Sequence, residues 1–86
     1  MPALLDEVRL AVSLPPPATR IAIRRRAHVS RERLAGELGC HVISVARWER
    51  GTRNPHGDLR LRYARLLELL DQAAAAAERS GRAEAS

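Results

Sequence analysis

The chain contains no phenylalanine, one tryptophan and one tyrosine. An aromatic-rich core is therefore excluded, and Leu, Ala and Val must do the packing, a composition that suits helices. A single cysteine, Cys40, excludes an internal disulfide and fits a reducing compartment. Lysine is absent: all fifteen basic residues are arginine. A GC-rich coding sequence yields the same bias, so arginine in place of lysine carries no functional weight by itself. No stretch approaches the roughly 20 apolar residues that span a bilayer. The opening MPALLDEVRL is acidic and lacks a long apolar run, so it does not read as a signal peptide. The expected location is the cytoplasm. Neither C-x2-C nor H-x3-H spacing occurs around Cys40, His28, His41 and His56, so no metal site is expected. No Ser/His/Asp or Cys/His set, paired carboxylates or phosphate-cradling loop stands out. The chain is thus read as a non-enzyme without cofactor or small-molecule ligand.

What is present is charge, unevenly placed. The 86 residues carry a net charge of +5, and 45% of them are hydrophobic, enough for one small folded domain. Between Arg20 and Arg65 twelve arginines face Glu32, Glu37, Glu49 and Asp58, a surplus of eight. Residues 1–19 sum to minus one and 66–86 to minus two. A basic middle between near-neutral ends is the footprint expected of phosphate binding, although membrane surfaces and acidic proteins remain open on charge alone.

Apolar residues Leu4, Leu5, Val8, Ala11 and Val12 form one face of a helix over 3–13, either core or a dimer surface. Pro15, Pro16 and Pro17 stop it, and Pro17 can open the next helix, about 17–27, with Ile23 and Ala27 inward and Arg25 and Arg26 outward. Ser30 is a good N-cap for a helix from Arg31 to Leu38, which Gly39 ends. A further helix runs from Val42 to Arg50, with Val45 and Trp48 inward, and Gly51 ends it. TRNPHGD, residues 52–58, is a loop whose Asp58 can cap a last helix packed through Leu59, Tyr63, Leu66, Leu67 and Leu70. The five alanines at 73–77 can prolong that helix but have little to pack against, and ERSGRAEAS, residues 78–86, should fray. The expected division is 1–16, accessory helix and Pro-rich linker; 17–72, the main domain; 73–86, a frayed Ala-rich tail. Trp48 and Tyr63 read as core, Cys40 as a small apolar turn residue, and Arg60, Arg62 and Arg65 as solvent or rim.

Two short helices joined by a tight glycine turn form a helix-turn-helix. Residues 30–51, SRERLAGELGCHVISVARWERG, resemble that element of the phage repressor and Cro family. Ser30, Leu34, Ala35, Leu38, Gly39, Val45, Trp48, Glu49, Gly51 and Pro55 match its pattern in register, and the likeness covers residues 14–70. The wider layout resembles small regulators of actinobacteria and their phages. The resemblance implies an all-α, compact four- to five-helix bundle of the lambda-repressor-like type. It implies a sequence-specific regulator bound to double-stranded DNA, with the helix at about 42–50 in the major groove and a homodimer on DNA as one arrangement.

It also implies roles residue by residue. Leu34, Ala35, Leu38, Val45 and Trp48 are core anchors. Val42, Ile43 and Arg47 occupy base-facing positions; Arg47 can donate twice to a guanine, and the two apolar residues can pack on thymine methyls. Ser30, Arg31, His41, Ser44, Arg50 and Arg53 fall to the DNA backbone. Glu49 pairs with Arg24 as a structural ion pair, because an acid facing DNA would repel it. His41 replaces the usual Ser or Thr and weakens the cap on the recognition helix. Val42 and Ile43 are apolar where polar readers are common. Two other readings therefore stand beside the first: an antitoxin or architectural factor of phage recombination, and a helix-turn-helix adaptor that binds protein instead of DNA.

Overall fold

The computed structural model describes residues 4, 5 and 14–85. Four helices and no strand occur among them beyond the helical pair Leu4 and Leu5. They are α1 (Pro17–Arg26), α2 (Arg31–Leu38), α3 (Val42–Arg50) and α4 (Gly57–Ala85).

Each boundary has a local cause. Pro16 stays extended at φ −57° and ψ 155°, and its carbonyl accepts from the amides of Thr19 and Arg20 at 3.0 and 3.1 Å. Pro17 fills the first helical position, where the missing N–H costs nothing. Ser30 caps α2: its Oγ accepts from the Arg33 amide at 3.1 Å. Gly39 then turns left-handed at φ 68°, and the Cys40 amide reaches back to the Ala35 carbonyl at 3.0 Å. Gly51 ends α3 in the same way, at φ 76°, with Thr52 N–H donating to the Arg47 carbonyl at 3.1 Å. His28, between α1 and α2, is left-handed at φ 58° without being glycine. No turn signal in the sequence pointed to it. Asp58, expected as a cap, lies inside the first turn of α4, which begins a residue earlier at Gly57.

The core comprises Ile23, Leu34, Ala35, Leu38, Val45, Trp48, Tyr63 and Leu67. All five expected anchors are in it. Helix α2 packs on α3, and α1 packs on both α3 and α4. Tyr63 and Leu67 bring α4 into the same cluster as the core residues of α2 and α3. The Trp48 and Tyr63 rings lie 4.9 Å apart, tilted by 40°, a geometry worth about 0.5–1.5 kcal/mol beyond burial. The core of an aromatic-poor chain thus concentrates both its aromatics at the α3–α4 joint.

Leu4 and Leu5, expected on a face that is either core or a dimer surface, are 55% and 57% exposed and so are not core, whereas Leu14 packs against it. The rest of the expected first helix lies outside the described residues. The segment from residue 73, expected as a frayed tail, is helical: α4 runs on to Ala85. Alanine is the best helix former, and the alanines do have a support. Ala74 is buried, and the Arg26 guanidinium clasps Asp71 at 3.2 Å and Glu78 at 3.1 Å, two turns apart on α4.

Candidate nucleic-acid interface

Helix α3 has one anchored face. Val45, Trp48 and Glu49 are buried in or beside the core. The opposite face carries Ile43, 50% exposed, and Arg47 one turn later, also exposed. Ser44 and Ala46 flank them and are half-buried. Val42 is less available than its neighbour: it is half-buried and packs against the core. Exposed Ser30, Arg31, His41, Arg50 and Arg53 surround α3 at its two ends and on α2. Ser30 Oγ is occupied by its cap bond, and His41 makes no side-chain cap bond to α3.

The buried charges lie behind this face. Glu49 is 1% exposed and takes a two-pronged bond from Arg24: Nε to Oε2 at 2.6 Å, and the second terminal amine to Oε1 at 3.0 Å. Arg24 also donates to the Val29 carbonyl at 2.9 Å, which ties the pair to the turn before α2. Arg31, assigned from the sequence to a phosphate alone, donates its Nε to Glu49 Oε1 at 2.9 Å. Burial by itself pushes the Glu49 carboxyl up, but the bonds from Arg24 and Arg31 outweigh it and hold it below the ordinary range. The same bond, donated to Glu49, raises the pKa of Arg24 against its desolvation. The acid of α3 is therefore a buried anion facing away from the exposed face.

Sequence reasoning missed Arg20. It is 5% exposed, donating Nε to the Pro15 carbonyl at 2.6 Å and a terminal amine to the Trp48 carbonyl at 3.2 Å. It thereby caps the last turn of α3 and fastens it to the proline segment. Its signal was positional: Arg20 stands one turn before Arg24 on α1, and three residues before Ile23. Burial depresses its pKa, partly offset by Tyr63. Tyr63 itself is fully buried, its hydroxyl has no hydrogen-bond partner among the described residues, and desolvation pushes it up to about 12.

The arrangement is an all-α helix-turn-helix: α2 and α3 joined by the Gly39 turn, with one α3 face locked and the other presented to solvent. Over residues 21–71, more than half of the chain, the sequence matches the helix-turn-helix family, and the protein belongs to it. That family is one of DNA-binding regulatory domains. No curated protein matches the chain, and no solved structure does. Among the described residues no helix is long and apolar enough to cross a membrane.

Proposed function

We propose that the protein is a sequence-specific regulator of transcription that occupies double-stranded DNA with α3 in the major groove. The observation that carries this reading is the two-sidedness of α3. Its inner face is fixed by Val45, Trp48 and the Glu49 ion pair, while Ile43 and Arg47 stand out side by side in the most basic part of the chain. Arg47 would read a guanine edge through two donated bonds, a contact worth roughly 1–3 kcal/mol of discrimination. Ile43, with the exposed part of Val42, would pack on thymine methyls. Arg31, Arg50 and Arg53, with Ser30, His41 and Ser44, would meet the sugar–phosphate backbone and set the register. Occupation of an operator would act by blocking other factors. Two copies related by a two-fold axis would place half-sites about one helical turn apart.

Selection of bound duplexes from a random pool tests this, with wild type beside Arg47→Ala. The expected result is one enriched motif for wild type and the loss of a single base preference in the variant, both folded by circular dichroism. No enrichment by either protein, with retention that vanishes in salt, would overturn the reading. An antitoxin or architectural factor would use the same interface; a toxin gene or an attachment site beside the gene separates these. The 50% exposure of apolar Ile43 favours a second reading, an adaptor that binds a protein through α3. Salt-insensitive capture of a protein, without DNA binding, would establish it.

A further inference from the structure

Arg31 is the first residue of α2, where the positive end of the helix dipole disfavours a cation. It is nevertheless held there by a buried acid. Glu49 does not need it for neutrality, because Arg24 already serves both carboxylate oxygens at 2.6 and 3.0 Å. The Arg31 bond is an addition at 2.9 Å, made through Nε alone. Its side chain stays 43% exposed while that of Glu49 is 1% exposed. The guanidinium is thus gripped from behind by one nitrogen and keeps its two terminal amines for another acceptor. It does so beside the exposed α3, at a helix end whose dipole favours an anion.

We propose that Glu49 is a positioning residue, which holds Arg31 by its Nε so that the terminal amines grip a DNA phosphate at the start of α2. The proposal rests on the DNA-binding reading and adds a role for a buried acid behind the interface. Only a planar fork can serve two anions in fixed directions; an ammonium group is a single point charge on a flexible stem. A guanidinium already oriented loses less freedom on binding, which makes one contact count for more. Arg31 here carries both charge and geometry, and the second depends on Glu49.

The test uses the full chain and a 20-base-pair duplex of mixed sequence. Wild type, Arg31→Ala and Arg31→Lys are titrated across a salt series, and the thermal unfolding of each is recorded. Arg31→Ala is expected to flatten the slope of log K against log salt by about 0.9, the loss of one phosphate, and to weaken binding about eightfold at 0.1 M salt. Arg31→Lys is expected to recover less than half of that loss on a logarithmic scale. Recovery of more than half makes Arg31 an unoriented charge and overturns the proposal. A lower Tm for Arg31→Ala with an unchanged salt slope makes the residue purely structural and overturns it too. The Nε–H resonance of Arg31 supplies a second readout: it should stay slowly exchanging when duplex is added. Its collapse into fast exchange would mean that phosphate removes Arg31 from Glu49, which refutes positioning. Failure of wild type to bind any duplex would sink the regulator reading itself, a result distinct from all the others.

Discussion

Replacing Glu49 with glutamine keeps the side chain's size and removes its charge. Behind it stands Arg24, with a side chain only 9% exposed, whose remaining acceptor is the Val29 carbonyl at 2.9 Å. A buried cation left without its anion costs about 3–5 kcal/mol. The Arg31 bond adds little to that figure, because its side chain is 43% exposed and solvent screens it. A chain of this length has a total stability of about 4–13 kcal/mol, so the variant sits near the limit of folding. With about 4–8 °C of Tm per kcal/mol in a domain of this size, a loss near 3 kcal/mol lowers Tm by about 12–24 °C. Thermal and urea unfolding at pH 7, followed by far-ultraviolet circular dichroism, measure this. A double variant, Arg24→Met with Glu49→Leu, removes both charges and should recover most of the loss. A loss below about 1 kcal/mol in Glu49→Gln, or a double variant no more stable than the single, would refute the assignment of this pair as a buried anion–cation lock.

Other outcomes follow from the same geometry. The Glu49 carboxyl is held below its ordinary value of 4.5 in the folded chain, so its stabilisation is complete above that pH and is lost as the pH falls through the folded value. Tm measured from pH 7 to 3 should drop below pH 4.5, and less steeply in Glu49→Gln. Tyr63→Phe removes a buried hydroxyl that has no partner among the described residues and should leave urea stability unchanged or raise it by about 1 kcal/mol; a loss above 1 kcal/mol would show that the hydroxyl is satisfied. Gly51→Ala forces a side chain into φ 76° with its Cβ 3.4 Å from Pro17 Cγ and should cost about 1–2 kcal/mol. Gly36→Ala, at an exposed position inside α2 with nothing within 4 Å of the new methyl, should stabilise by about 0.5–1 kcal/mol. Equal effects of the two alanines would contradict the backbone argument.

The helices of the central domain were legible because their ends are chemical events. Ser30 is a cap, Gly39 and Gly51 are left-handed stops, and Pro17 is a start. The core anchors were legible because the spacing of Leu34, Leu38, Val45 and Trp48 matches helical turns. The extent of α4 was half legible: its alanine run can prolong the helix, but the pairs that Arg26 makes with Asp71 and Glu78 join residues forty-five and fifty-two apart in sequence. Local propensity says nothing about such a contact. Arg20 and Arg31 were missed or half-read for a related reason. Sequence shows an arginine's charge but not which of its nitrogens is engaged, and burial of Arg20 depends on carbonyls at Pro15 and Trp48 that the pattern cannot display. The reduced availability of Val42 relative to Ile43 also emerges only from packing, because both are apolar neighbours on one short helix.

The joint between Trp48 and Tyr63 gives the protein a built-in optical probe. The chain has one indole, and it lies on the inner side of α3 with its ring 4.9 Å from the phenol of α4. Light absorbed by Tyr63 is therefore passed to Trp48 while the two helices are seated, and emission from the indole reports the seating of α3 from behind. A ligand arriving at Ile43 and Arg47 touches the other face and need not quench it. Loosening of α3 from α4 can thus be followed by itself, without a label or an added chromophore.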